Sequence, residues 1–244
     1  MKNIRITRSV IPNLFTALNM FCGFVSIVYS NQEKFLDASV LIIIAAVFDA
    51  LDGVMARLTK SSSEFGVELD SLSDLVSFGV APSFLMYQTY LYNHGITGII
   101  LASLPMIFGG FRLARFNVQL TGFDKSYFTG LPIPSSAITI ASFVIVYFRD
   151  GVFIEPFGQY VIPLIIVLSL LMVSKIRYET LPKISAKGIK EKPYMFGFLV
   201  LSTISVVFSK GYALFYVFVL MILFGIFRYI YSTVFKPKQT IVKK

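Results

Sequence analysis

The chain has 244 residues, of which 56% are hydrophobic and only 14% are charged, and its formal net charge is +9. A soluble globular domain carries about 25% charged residues, so this composition excludes an ordinary soluble domain and favours an integral membrane protein. The single cysteine and single histidine exclude a disulfide framework and a metal site built on those residue types.

Apolar runs separated by short polar connectors predict an all-α, polytopic helical bundle. The basic stretch before the first run is followed by no small-residue cleavage site, so this run is interpreted as a retained membrane helix. No soluble domain fits between the runs, and residues 1–244 are interpreted as a single membrane domain. Eight spans are expected, at about 13–30, 36–58, 74–92, 95–115, 130–148, 158–174, 193–209 and 212–234.

The basic residues fall on alternate sides of these spans. With the N-terminus in the cytoplasm, all 22 Lys and Arg residues lie on the cytoplasmic side except Lys34, Arg149 and Lys210. The positive-inside rule therefore predicts a multi-pass protein of the cell membrane with both termini in the cytoplasm. Cations spread along the membrane ends favour contact with anionic headgroups over binding of nucleic acid.

Four carboxylates stand together where the second predicted span ends and the third begins. Asp49 and Asp52 are three residues apart, and Asp70 and Asp74 are four apart. Such spacings share a helix face, so two adjacent helices would point all four acids into one pocket. Clustered carboxylates need a neutralising cation, and oxygen ligands favour Mg²⁺ or Mn²⁺. The alternatives are acids solvated separately at the interface, and a cation transporter, which predicts acids nearer the membrane midplane.

Small residues and one arginine surround these acids. Gly53, Ala56 and Gly66 leave room either for close helix packing or for a ligand, and Ser63 adds a hydroxyl. Arg57 lies about one turn beyond Asp52 and suits a phosphate oxygen, with snorkelling to the interface as the alternative. The combination predicts a diphosphate ligand at the lipid–water boundary.

The run Asp49-x-x-Asp52-Gly53-x-x-Ala56-Arg57 is followed, after eight intervening residues, by Gly66-x-x-x-Asp70-x-x-x-Asp74. Together they resemble the signature of the CDP-alcohol phosphotransferase family at every fixed position. The resemblance implies a six-helix membrane core, a homodimer, and transfer of a substituted phosphate from a CDP-linked donor to an alcohol, with release of CMP. It implies that the four aspartates bind divalent metal, with two ions expected, and that Asp74 is also the base. The implied donor contacts are Asn13, Thr16, Gly53, Ala56, Arg57, Ser63 and Gly66.

Further segments resemble the bacterial members of this family that use CDP-diacylglycerol and serine; they are Ile11–Thr16, Asn19–Phe24, Ser71–Pro82, Phe111–Asn117 and Gly130–Pro134. The resemblance implies serine as the acceptor, with Arg112, Arg115 and Asn117 on the acceptor side. Membrane anchoring is the alternative role of the two arginines, and another acceptor (glycerol 3-phosphate or inositol) or an ether-lipid donor stays open. Since the last two spans exceed a six-helix core, about 10–175 is expected to be catalytic and about 193–234 an added hairpin.

Overall fold

The computed structural model describes residues 10–59, 63–119, 127–179 and 193–235. These residues form a helical bundle, which confirms the predicted all-α class. A π-helical turn, Leu75–Val80, makes one continuous helical run of residues 64–89, and 3-10 turns at Leu91–His94 and Phe157–Tyr160 precede two later helices. The α-helices are α1 (Val10–Asn31), α2 (Phe35–Thr59), α3 (Glu64–Asp74), α4 (Ala81–Thr89), α5 (Gly95–Gln119), α6 (Ile133–Tyr147), α7 (Val161–Val173), α8 (Pro193–Phe208) and α9 (Ala213–Phe235).

Four helical segments among the described residues are long and apolar enough to cross a membrane: Val10–Asn31, Phe35–Thr59, Leu91–Val118 and Ala213–Val234. Three shorter apolar helices occupy Ile133–Tyr147, Phe157–Val173 and Phe196–Phe208. Each segment coincides with a predicted span to within several residues. The chain is therefore a multi-pass membrane protein.

The predicted starts of the third span and of the loop after the fourth span are wrong. The third helical run begins at Glu64 rather than at 74, because Ser63 caps it: the Ser63 hydroxyl oxygen accepts a hydrogen bond from the Gly66 backbone N–H at 3.0 Å. Serine is among the preferred N-cap residues. The loop predicted at 116–129 also begins too early, since α5 continues to Gln119.

Two short antiparallel strand pairs join the connectors. Strands β2 (Phe148–Arg149) and β3 (Val152–Phe153) form a tight hairpin through Asp150 and Gly151, both at positive φ, as the favoured two-residue hairpin turn requires. Strands β1 (Tyr127–Thr129) and β4 (Arg177–Glu179) pair the segments that follow α5 and α7. The sequence reasoning predicted neither pair.

Helix α6 is the most enclosed helix, and most of its side chains are buried between α2, α4, α7 and α9. Helix α1 packs along α2, where the Ser26 hydroxyl donates to the Ala38 carbonyl at 2.8 Å. Large apolar side chains such as Phe21 and Ile96 are exposed on the outside of the bundle, where a bilayer would solvate them. These helices place the end of α2, the start of α3 and the start of α1 at one end of the bundle, hereafter the site end.

Candidate active site

One face of α1 carries a row of polar and small residues. Asn13, Thr16 and Asn19 are three residues apart, and the row continues through Gly23 and Ser26. Thr16, Asn19, Gly23 and Ser26 are all buried, so this face packs on protein rather than on lipid. The polar part of the face lies against the acids of α2 and α3.

The predicted acids meet in space. Asp49 of α2 and both Asp70 and Asp74 of α3 place carboxylate oxygens within 4.8 Å of one another. The carboxylates of Asp49 and Asp74 lie close enough to interact electrostatically. Asp52, at the next turn of α2, lies close enough to interact electrostatically with Asp49 and Asp70. The four acids therefore share one pocket, with Asp52 at its α1 side.

Helix α1 supplies hydrogen-bond donors to two of the acids. The Asn19 side-chain amide donates to Asp74 Oδ1 at 3.3 Å. The Thr16 hydroxyl lies 3.0 Å from Asp52 Oδ2 and 3.2 Å from the Pro12 carbonyl, and its single proton serves one of these acceptors at a time. The sequence reasoning missed Asn19 as a site residue. Its position three residues after Thr16, on an otherwise apolar helix, is the signal that could have found it.

Two serines of the third helical run hydrogen-bond to the α1 backbone beside the acids and so define the axial position of α1. The Ser73 hydroxyl donates to the Thr16 carbonyl at 3.0 Å, and the Ser77 hydroxyl donates to the Asn19 carbonyl at 2.8 Å. Gly23 allows this approach, because a Cβ there would lie 2.7 Å from the Ser77 Cα. The π-helical turn begins directly after Asp74, and such turns inside helices are frequent at functional sites.

The chemistry of the acid cluster fits a hard divalent cation. Asp70 Oδ1 is buried and has no hydrogen-bond partner among the described residues, and Asp74 is only 8% exposed. Buried carboxylates at this spacing repel one another and lack hydration, so a bound cation stabilises their ionised forms. Because all the candidate ligand atoms are carboxylate oxygens, the cluster suits Mg²⁺ or Mn²⁺ better than a softer metal.

The residues predicted to contact the donor lie on the segments that carry or adjoin the acids: the start of α1, the end of α2 and the start of α3. Among the described residues, no atom lies within 4 Å of the position that a Cβ on Gly53 would take, so this glycine borders open space. Asn13 and Ser63 converge on Gly66: their side-chain oxygens lie 3.6 and 3.2 Å from the position of a Cβ on that glycine. At the end of α2, Arg57 is exposed and Ala56 is half-buried.

The two arginines predicted on the acceptor side differ in their surroundings. Arg112 is 7% exposed and interacts electrostatically with Asp74 across the α3–α5 interface. Arg115 donates instead to the carbonyls of Val173 and Thr129, each at 3.0 Å. A cation at the last carbonyls of a helix stabilises its end, so Arg115 joins α5 to the end of α7.

Asn117 connects α5 to α3 next to the acids. Its side-chain amide donates to the Ser71 hydroxyl oxygen at 3.0 Å and lies 3.5 Å from Glu68 Oε2. Ser71 precedes Asp74 by three residues and shares its side of α3. Asn117 therefore lies beside the pocket and contacts its α3 wall rather than the acids themselves.

The sequence is similar to that of a known protein family and of several named proteins. The family model of CDP-alcohol phosphatidyltransferases matches residues 9–174. Two proteins from Helicobacter pylori strains, both called CDP-diacylglycerol–serine O-phosphatidyltransferase, are 39% and 38% identical over 228 residues, 91% of this chain and 92% of theirs. An archaetidylserine synthase from Methanothermobacter thermautotrophicus is 38% identical over 191 residues, covering 77% of this chain and 76% of that protein. The matched region 9–174 contains all four acids and ends before α8.

Proposed function

This chain belongs to the CDP-alcohol phosphatidyltransferase family, and from that premise we propose that it is an enzyme that transfers the phosphatidyl group of CDP-diacylglycerol to the hydroxyl of L-serine. The products are phosphatidylserine and CMP. The observation that carries the proposal is the cluster of Asp49, Asp70 and Asp74, with ligand oxygens within 4.8 Å of one another at the site end of the bundle. The names of the two relatives from Helicobacter pylori support serine as the acceptor.

The four aspartates would hold the cation, Mg²⁺ or Mn²⁺ with two ions expected, and the bound metal would neutralise charge on the diphosphate. Asp74 has the further role of base that the family resemblance implies, and it faces Arg112 across the α3–α5 interface. The Asn19 amide holds Asp74 Oδ1 and leaves Oδ2 to accept the serine hydroxyl proton. The serine oxygen then bonds to the lipid-linked phosphorus, and the bond from that phosphorus to CMP breaks.

The donor occupies the side of the pocket formed by α1 and α2. Asn13 and Thr16 line the nucleotide side, the open space at Gly53 admits the diphosphate, and the Arg57 guanidinium binds a phosphate oxygen. A groove of about 420 Å³ runs along α2 from Val54 to Ile43 and has almost entirely apolar walls. Its walls also include Ile138 of α6 with Leu214 and Phe218 of α9. Its apolar walls suit an acyl chain of the donor.

The site end faces the cytoplasm, with both chain termini, and the protein resides in the cell membrane as a homodimer. The distribution of basic residues along the sequence supports this orientation, because Lys34, Arg149 and Lys210 fall in the connectors predicted outside the cytoplasm and the other Lys and Arg fall in segments predicted on the cytoplasmic side. The catalytic core comprises about residues 10–175, close to the family match at 9–174, and about 193–234 form an added hairpin.

Release of CMP from CDP-diacylglycerol by the purified protein in detergent tests the proposal. Serine, glycerol 3-phosphate, inositol and choline are offered in turn, with Mg²⁺ or Mn²⁺ and after chelation. We expect cation-dependent CMP release with serine. Faster release with glycerol 3-phosphate or inositol would overturn the acceptor and keep the reaction class, and a parallel ether-lipid donor tests the lipid. If no acceptor gives CMP release, the enzymatic proposal is overturned and cation transport becomes the favoured function.

A further inference from the structure

A stripe of three polar residues on α3 faces α5 beside the pocket. Glu68, Ser71 and Asp74 follow one another at three-residue spacing, so each neighbouring pair shares a face of the helix and the stripe winds partly around it. On α5, Asn117 contacts Ser71 and Glu68, and Arg112 interacts with Asp74. The two helices are therefore antiparallel at this interface, and the stripe leads from the buried acid outward to Glu68, which is exposed.

We propose that Glu68 binds the ammonium group of the acceptor, an inference that rests on serine being the acceptor in the proposed function. Serine presents three polar groups on a small carbon frame. Its hydroxyl must face Asp74, the proposed base, and its carboxylate finds a cation in Arg112. Its ammonium then needs an anionic partner other than the four metal-binding aspartates, because a desolvated ammonium without a partner is costly.

The rise along α3 is compatible with this arrangement. Six residues along a helix correspond to a rise of about 9 Å, which separates the backbone positions of Glu68 and Asp74 along the axis of α3. Serine adds two polar contacts of about 2.8 Å each, one at its hydroxyl and one at its ammonium. Because these two groups are carried on adjacent carbons, serine lying along the α3–α5 interface can reach from the turn of Asp74 towards the turn of Glu68.

Asn117 lies beside Glu68 without cancelling its charge. The contact of 3.5 Å between the Asn117 amide and Glu68 Oε2 is made by a neutral group, so the negative charge of Glu68 stays uncompensated. The same charge repels acceptors that carry phosphate and gives nothing to acceptors that lack an ammonium group. Glu68 therefore selects an amino alcohol over glycerol 3-phosphate or inositol, partly through repulsion.

Kinetics with two related acceptors test the inference. L-Serine is compared with L-glycerate, which keeps the hydroxyl and the carboxylate and replaces the ammonium by a hydroxyl. We expect Glu68→Gln to lower kcat/KM for serine by about tenfold or more, as expected for loss of a hydrogen bond between charged groups. The KM for CDP-diacylglycerol should not change, and kcat/KM for glycerate should fall far less, so that the serine-to-glycerate ratio drops.

Glu64→Gln is the matched control, because it makes the same change one turn earlier on the same exposed side of α3. It should leave the serine-to-glycerate ratio unchanged. Glu68→Asp keeps the charge but shortens the side chain, should give an intermediate ratio, and carries the test if Glu68→Gln does not fold. An unchanged ratio in the folded Glu68 variants, or an equal loss for both acceptors, would overturn the ammonium site.

The outcomes separate this inference from the proposed function. If the wild-type protein uses serine and the Glu68 variants keep the wild-type ratio, the ammonium site is overturned and the proposed function stands. If the wild-type protein uses glycerol 3-phosphate but not serine, both are overturned, since that acceptor has no ammonium group.

Discussion

Replacing Gly23 by alanine should damage the fold and the site together. A Cβ at this position would lie 2.7 Å from the Ser77 Cα and 2.9 Å from the Ser77 Cβ, and neither atom can rotate away. Helix α1 must therefore move from the π-helical turn, which lengthens the hydrogen bond of 2.8 Å from the Ser77 hydroxyl to the Asn19 carbonyl. Since Asn19 also donates to Asp74, the movement reaches the proposed base.

The expected loss of stability follows from two destabilising contributions and one stabilising contribution. Overpacking of a close contact costs about 1–3 kcal/mol, and weakening one buried hydrogen bond costs about 0.5–1.5 kcal/mol. Alanine favours a helix over glycine by about 1 kcal/mol, which offsets part of that loss. The free energy of unfolding should therefore fall by about 1–3 kcal/mol, which corresponds to about 2–4 °C in Tm for each kcal/mol in a chain of this size.

Thermal unfolding in detergent and cation-dependent CMP release measure the two consequences. Gly23→Ala should lower both Tm and kcat. Gly197→Ala on α8 is the control for stability, because no described atom lies within 4 Å of the added Cβ. Gly53→Ala has the same open surroundings and should keep its Tm while raising the KM for CDP-diacylglycerol. Wild-type Tm and kcat in Gly23→Ala would refute the close approach of α1 to the π-helical turn and its link to Asp74.

Asp74→Asn preserves the size of the side chain and removes the base, so kcat should fall by about 10²–10⁴-fold at an unchanged Tm, and near-native turnover would exclude Asp74 as the base. Asn19→Leu should lower kcat with little change in the KM for CDP-diacylglycerol, because it removes the donor that holds Asp74; an unchanged kcat would place Asn19 outside the site. Asp49→Ala should raise the Mg²⁺ or Mn²⁺ concentration needed for half-maximal activity, and a titration identical to wild type would contradict its role as a metal ligand. Arg112→Lys keeps the charge but removes the planar guanidinium, and it should raise the KM for serine. Arg115→Lys should chiefly lower Tm. If Arg115→Lys raised the KM for serine and Arg112→Lys lowered Tm instead, the two assigned roles would be exchanged.

Local patterns in the sequence predicted most of the architecture. Apolar run length depends on the bilayer alone, so the positions of the spanning helices could be predicted without tertiary information. Helical spacing placed Asp49 with Asp52 and Asp70 with Asp74 on common faces. The structure then brings three of these acids within 4.8 Å, as the convergence of the two helices requires.

Features that depend on contacts between distant segments could not be predicted in the same way. One missed boundary is local instead: the start of α3 is polar, so hydropathy began the span at 74, whereas the Ser63 cap begins the helix at Glu64. The β1–β4 pair joins segments about fifty residues apart, and no local pattern specifies such a partner. Arg115, like Arg112, is an arginine near the predicted cytoplasmic end of a span, so the sequence does not distinguish them. Arg115 nevertheless donates to a carbonyl at the end of α7, and only the folded chain brings that carbonyl close.

Simultaneous quantification of CMP and of serine-containing lipid tests the proposed reaction most directly. The purified protein is given CDP-diacylglycerol and isotopically labelled L-serine, with Mg²⁺ or Mn²⁺ and after exhaustive chelation. The four aspartates and the proposed base predict that CMP and labelled phosphatidylserine form in equal amounts, only with the cation, and that the Asp74→Asn variant forms almost none of either. Release of CMP without labelled lipid, or undiminished lipid formation after chelation, would contradict metal-dependent transfer to serine at this site.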